Sequence, residues 1–235
     1  MSSPQRLART AGLYYLVVAI LGAFAQIVRV SVYAPGDAAA TVENIVANAS
    51  LVRYGFVADL VQAAFFLFVV MALHRLLQHA GRNVARAMVI FVVVAVAIIC
   101  LNMVHQLGAL LVATDPSYAG AFGTEGSDAL VLLLLDLQHY GYLIAQIFFG
   151  MWLFPLGLLA YRSGMFPRPL GQLLMLASVG YLVDVLLQML RPELADAINP
   201  FLVGLFSLSE GSMLLYLLIK GVKTPRPADR ELVAA

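Results

Sequence analysis

Residues 129–160 read ALVLLLLDLQHYGYLIAQIFFGMWLFPLGLLA, an apolar run broken by one charge, Asp136, and by a polar cluster at Gln138, His139 and Tyr140. About 20 apolar residues are enough to cross ~30 Å of hydrocarbon as a helix. This run is longer than that, and the only breaker late in it is Pro155, which removes a backbone donor and predicts a kink. Outward from it, comparable runs stand near 11–33, 51–77, 86–112, 169–190 and 200–220. The chain therefore reads as all-α, a polytopic membrane protein built as a bundle of six transmembrane helices. Residues 1–235 form a single membrane domain in this reading, and 221–235 a flexible cytoplasmic tail.

Composition supports that class. Hydrophobic residues make up 62% of the chain and charged residues 11%, with a mean hydropathy of +0.91, whereas soluble domains carry about a quarter charged residues. The net charge of +1 comes from scattered arginines and offers no basic face for nucleic acid. Cys100 is the sole cysteine, which excludes a disulfide framework and a thiolate metal cluster. A cleaved signal peptide competes for the first span, because Arg6 and Arg9 precede an apolar run and Ala23-Phe24-Ala25 imitates a cleavage site. The run continues through Ile27, Val28, Val30 and Val32, which favours a retained helix.

Basic residues orient the bundle. With a cytoplasmic N-terminus, Arg6, Arg9, Arg75, Arg82, Arg86, Arg162, Arg168, Lys220, Lys223, Arg226 and Arg230 all fall inside the cell. Both termini are then cytoplasmic and the protein is multi-pass in the cell membrane, with the lipid bilayer as its first partner. Ser127, Asn199-Pro200 and Pro167-Arg168-Pro169 supply helix-start chemistry, while Gly81 and Gly164 mark stops. In the outer connection from Gly36 to Ser50, Asp37 can cap a short amphipathic helix whose apolar stripe is Val42, Ile45, Val46 and Ala49. Such a helix would lie on the membrane surface, either over the mouth of a cavity or as a plain connector.

Polar groups inside the spans are the functional signal. Charges at membrane depth are costly unless paired or hydrated, so they mark functional sites by default. Span two holds Arg53, Asp59 and Gln62; span three Asn102, His105 and Gln106; span four Asp136, His139, Tyr140 and Gln146; span five Tyr181, Asp184 and Gln188; span six Ser207 and Glu210. Arg29 closes span one. The helical spacing puts Asp59 and Gln62 on one face and His105 with Asn102 and Gln106 on another, and five helices with a polar face at matching depth predict one polar, net acidic pocket in the outer half of the bundle. Interhelical hydrogen bonds by the same residue types also serve as packing glue, so a structural role stands beside the functional one for every residue. Asp59, Asp136, Asp184 and Glu210 nevertheless outnumber the embedded Arg29 and Arg53, and protonation, water or a bound cation must offset the excess.

Three chemistries suit such a pocket. His105, Asp136, His139, Asp184 and Glu210 are metal-ligand or proton-handling types, and a divalent metal would supply the missing charge. A haem between His105 and His139 needs only one pair at similar depth. A small molecule or ion could instead bind against Arg53, Asp59, Gln62, Asn102, Gln106, Tyr140, Tyr181 and Gln188, with Arg53 orienting an anionic group or pairing with Asp59. A solute or proton-coupled transporter would use the carboxylates as relays, and a structural or partner-binding subunit would use them for assembly. His74 and His79 lie near the cytoplasmic interface, where solvent or headgroup contact explains them.

Gly36-Asp37-Ala38-Ala39-Ala40-Thr41, Arg53-Tyr54-Gly55-Phe56-Val57-Ala58-Asp59-Leu60, His139-Tyr140-Gly141-Tyr142-Leu143-Ile144 and Tyr161-Arg162-Ser163-Gly164 stand in this order along the chain. Phe166-Pro167-Arg168-Pro169-Leu170-Gly171, Gly180-Tyr181-Leu182-Val183-Asp184 and Leu217-Leu218-Ile219-Lys220-Gly221-Val222 follow. Together they resemble the bacterial membrane family catalogued as domain of unknown function 4386 (DUF4386), over about residues 6 to 223. The resemblance implies a multi-helix membrane protein, with Arg53, Asp59, Tyr140, Asp184 and Glu210 at motif positions. It implies no reaction.

Overall fold

A computed structural model describes residues 3–223. The tail expected over 221–235 falls, from residue 224 on, outside the described residues. Eight α-helices follow in order: α1 Pro4–Val32, α2 Ala38–Ala47, α3 Ala49–Leu77, α4 Arg82–Thr114, α5 Pro116–Phe122, α6 Thr124–Ser163, α7 Arg168–Leu190 and α8 Pro192–Leu215. A 3-10 turn, Gln78–Ala80, prolongs α3, and a π-helical turn, Tyr216–Lys220, prolongs α8. Among the described residues there is no strand. Among the described residues six helices are long and apolar enough to cross a membrane, with mean hydropathy from 1.8 to 3.0 over their most apolar stretches.

Backbone chemistry sets the helix ends. Gly164, at φ +67°, follows the last residue of α6 and takes the left-handed conformation that only glycine enters cheaply. Pro192 opens α8 at its first turn, where a missing N–H is harmless. This helix begins eight residues before the expected start at Pro200, which lies inside it, as Pro155 lies inside α6. Ser127 also falls inside α6 rather than capping it, and its hydroxyl donates to the carbonyls of Gly123 and Thr124.

The short helices differ in how clearly the residues announce them. Asp37 caps α2 as its position suggests, accepting from the Ala40 amide at 2.9 Å. Its buried line, however, is Thr41 and Ile45, while Val46 is 52% exposed. Thr41 turns inward because its hydroxyl donates to the Asp37 carbonyl at 2.7 Å and accepts from the Ala34 amide. Ile45 then joins a core of Val28, Val32, Val52, Ala109, Leu110, Val112, Val131 and Leu135.

α5 was not expected. Asp115 caps it, accepting from the Ser117 amide at 2.9 Å, and this bond holds its carboxyl below the usual carboxylate range. A depressed folded value means that the cap is intact above the ordinary carboxylate pKa, about 3.9, and fails as pH falls through the lower folded value. Protection of the Ser117 amide in hydrogen exchange should therefore be constant from neutrality to about pH 4 and decline only below it. An equal decline between neutrality and pH 5 would show that the carboxylate is not what holds the turn.

The chain forms two compact units. Among the described residues the first comprises 3–16, 67–92 and 147–223; the second comprises 17–66 and 93–146. In the first, Gln5 donates to the Lys220 carbonyl and accepts from the Val222 amide, tying the start of α1 to the end of the last span. α6 and α7 cross there at backbone contact. A Cβ on Gly157 would lie 2.6 Å from the Gly171 carbonyl oxygen, and one on Gly171 would lie 2.6 Å from that of Gly157. Small residues at crossings are how membrane helices approach closely when no hydrophobic force drives them together.

Candidate functional site

In the second unit the polar groups are organised along α6. Asp136 accepts the Tyr33 hydroxyl. One turn on, His139 stacks on the ring of the same Tyr33, at 6.3 Å between centroids, and meets Tyr140 edge-on. The Gln138 carbonyl accepts from the Asn102 side chain of α4 at 2.7 Å. That carboxamide fills the space beside Gly141, where any Cβ would overlap it. Tyr142, four residues after Gln138, carries the Arg29 guanidinium over its ring at 5.1 Å. The stretch from Asp136 to Tyr142 thus touches both α1 and α4.

Arg29 is also the ion-pair partner of Asp59, which is 1% exposed on α3. Gln26 accepts from the same guanidinium at 2.9 Å, and Gln62 donates to Asp59 at 3.4 Å. Arg53 is exposed and does not take this role. Six positions along a helix rotate by about 240°, which turns Arg53 away from the face of Asp59. Gln62 also packs against Gly22, where a Cβ would come within 3.2 Å of its amide oxygen.

Between α4 and α6 the hydrogen bonding is incomplete. His105 faces the Asn102 carbonyl oxygen at 3.1 Å. Gln106, 4% exposed, and Gln138, 6% exposed, keep one side-chain atom each without a hydrogen-bond partner among the described residues: Oε1 of Gln106, an acceptor, and Nε2 of Gln138, a donor. Most buried polar atoms are paired, so each exception calls for a reason. Gln138 is not among the expected site residues, since nothing in its local sequence distinguishes a buried amide from a polar neighbour of His139.

The first unit holds a different arrangement. Glu210 accepts two phenol O–H groups, from Tyr15 at 2.5 Å and from Tyr181 at 2.7 Å. Tyr181 in turn stacks on Phe206 at 3.7 Å between ring centroids, and Tyr15 meets Trp152 edge-on. Asp184, 3% exposed, accepts from Gln188 at 2.8 Å on the same helix. Ser207 is exposed.

Metal ligation needs three or four ligand atoms converging on one point. Among the described residues no three His, Cys, Asp or Glu side chains gather in that way. The expected ligands are engaged elsewhere: His105 with Asn102, Asp136 and His139 with Tyr33, Asp184 with Gln188, and Glu210 with two tyrosines.

Long apolar helices with polar side chains bonded between them define an α-helical, multi-pass membrane protein. The chain belongs to the family described as domain of unknown function (DUF4386), whose model matches residues 10–221. It is 34% identical over 122 residues to an uncharacterized protein of Archaeoglobus fulgidus, an alignment that covers 51% of this chain and 58% of that relative. The chain therefore spans little more than half the length of the relative. No solved structure matches it.

Proposed function

We propose that this protein binds a small polar solute in its second unit, at the α4 and α6 amides, and that it resides in the cell membrane with both termini cytoplasmic. The observation that carries the reading is the unpaired acceptor and donor of Gln106 and Gln138. An unsatisfied buried polar atom costs about 1–3 kcal/mol, so two of them on facing helices suit a ligand that offers both a donor and an acceptor. The neighbouring tyrosines and the Arg29–Asp59 pair, whose charges offset one another, favour a neutral or zwitterionic solute over a bare anion. A panel of amino acids, sugars, nucleosides and polyols, screened by thermal unfolding of the purified full chain, tests this. At least one class should raise the midpoint in a saturable way; a midpoint unmoved by every class counts against solute binding.

A second reading rests on Glu210, which two neutral phenols hold while, among the described residues, no cation pairs with it. A carboxylate so held can take up and release a proton, as in proton-coupled carriers. In proteoliposomes with an internal pH dye, the parent should carry protons down an imposed gradient faster than empty vesicles. Glu210→Gln, which keeps an acceptor for one tyrosine and turns an amide N–H toward the other, should abolish most of that excess. Equal rates in the parent and the variant would remove Glu210 from proton transfer.

A further inference from the structure

Beyond the solute site, the first unit carries a groove of about 430 Å3 where α3 and α4 flank the turn at residues 78–81. Its walls are Met71, His74 and Arg75 on α3 and Arg86, Val89 and Ile90 on α4. Both trios have the spacing i, i+3, i+4, so each lies on one helix face. The two helices run in opposite directions through the turn, which places both arginines at the turn end. Met71 and Ile90 lie four residues, or about 6 Å, deeper along their helices. Met71 is 49% and Ile90 58% exposed, and both arginines are exposed. Among the described residues neither arginine has a carboxylate partner. The groove is thus apolar at membrane depth and doubly cationic at its rim.

We infer that this groove seats one anionic phospholipid, its phosphate between Arg75 and Arg86 with His74 as a further donor, and one acyl chain along Met71, Val89 and Ile90. Guanidinium forks match phosphate oxygens in geometry as well as charge. Basic recesses between transmembrane helices take anionic headgroups, and each arginine near the surface strengthens that attraction by about fivefold. Free phosphate would make no use of the apolar floor, and a zwitterionic lipid would set its own cation against the two arginines.

Native mass spectrometry of the detergent-purified full chain tests the inference, with phosphatidylglycerol and phosphatidylcholine of identical acyl chains and with inorganic phosphate as competitor. Phosphatidylglycerol should be retained as a single preferred copy, in excess over phosphatidylcholine and undisturbed by phosphate. Its retention should fall about tenfold or more in Arg75→Gln/Arg86→Gln, and also in Val89→Trp, which fills the floor but keeps both arginines. Arg162→Gln/Arg168→Gln, elsewhere on the basic side of the same unit, should retain the lipid as the parent does. Equal retention of the two lipids, displacement by phosphate, or an equal loss in the Arg162/Arg168 variant would overturn it. Because Arg75 and Arg86 are exposed, their replacement should leave the unfolding midpoint unchanged in lipid-free detergent.

Discussion

Asp59→Ala should cost about 3 kcal/mol or more of stability, because it leaves the Arg29 guanidinium without its counter-ion where little water reaches it. Arg29 is 13% exposed and Asp59 1%. The loss is held to the lower part of the range by what Arg29 keeps: the Gln26 acceptor and the face of Tyr142, the latter contributing about 2 kcal/mol when desolvated. Asp59→Asn should cost less than Asp59→Ala, since the amide oxygen still accepts a hydrogen bond. Arg29→Met/Asp59→Leu should recover most of the loss, because it removes both desolvated charges together. Unfolding of the parent, Arg29→Met, Asp59→Leu and Arg29→Met/Asp59→Leu in the same detergent closes a double-mutant cycle. A coupling near zero would mean that Arg29 finds another partner when Asp59 is gone. Arg53→Ala, at an exposed position one helical face away, should be close to neutral.

Gly171→Leu should be among the most damaging substitutions in the first unit, matched at its crossing by Gly157→Leu. Even the first side-chain carbon would stand 2.6 Å from the Gly157 carbonyl and 2.9 Å from the Tyr161 backbone nitrogen. These are backbone atoms of a neighbouring helix and cannot rotate away as a side chain would. Overpacking in a close-packed interior costs about 1–3 kcal/mol even where side chains give way, so separation of α6 from α7 should exceed that range. Gly204 and Gly211 supply the control, because among the described residues no atom outside the local helix backbone lies within 4 Å of a Cβ added at either. Gly204→Ala should be neutral or slightly stabilising, as alanine is the better helix former by about 1 kcal/mol. If Gly171→Ala and Gly204→Ala unfold alike, the α6/α7 crossing is not as close as the structure places it.

The helices were legible because a hydrocarbon-spanning run leaves a strong, local record. Gly164 and Asp37 marked their ends for the same reason, since one residue's backbone or side chain sets each one. Glu193, Asp196 and Asn199-Pro200 carry loop chemistry and hide the first two turns of α8, although Pro192 starts the helix and all four lie inside it. α5, seven residues with a glycine in its interior, has no periodicity to detect; only Asp115-Pro116 announced it.

The candidate site was half legible. Its acids and amides stood out as polar residues in apolar runs, but their partners are long-range. Tyr15 meets Glu210 across 195 positions and Tyr33 meets Asp136 across 103, and no local spacing records either. Helical phase could have separated Arg53 from Asp59 but could not have supplied Arg29 in its place. Nor could it show that Gln106 and Gln138 keep an amide atom unpaired, since that depends on how two distant segments settle against each other.

Those two amides carry the most direct test. Replacing both with Leu removes two unsatisfied groups at similar volume, which is nearly neutral or stabilising when no partner is left behind. Gln106→Leu/Gln138→Leu, unfolded alone and with the solute that stabilises the parent, should show a ligand-free midpoint at or above the parent's and no rise on adding solute. A ligand-free midpoint several degrees lower, with the solute-dependent rise intact, would make the two glutamines packing groups and place any solute site elsewhere.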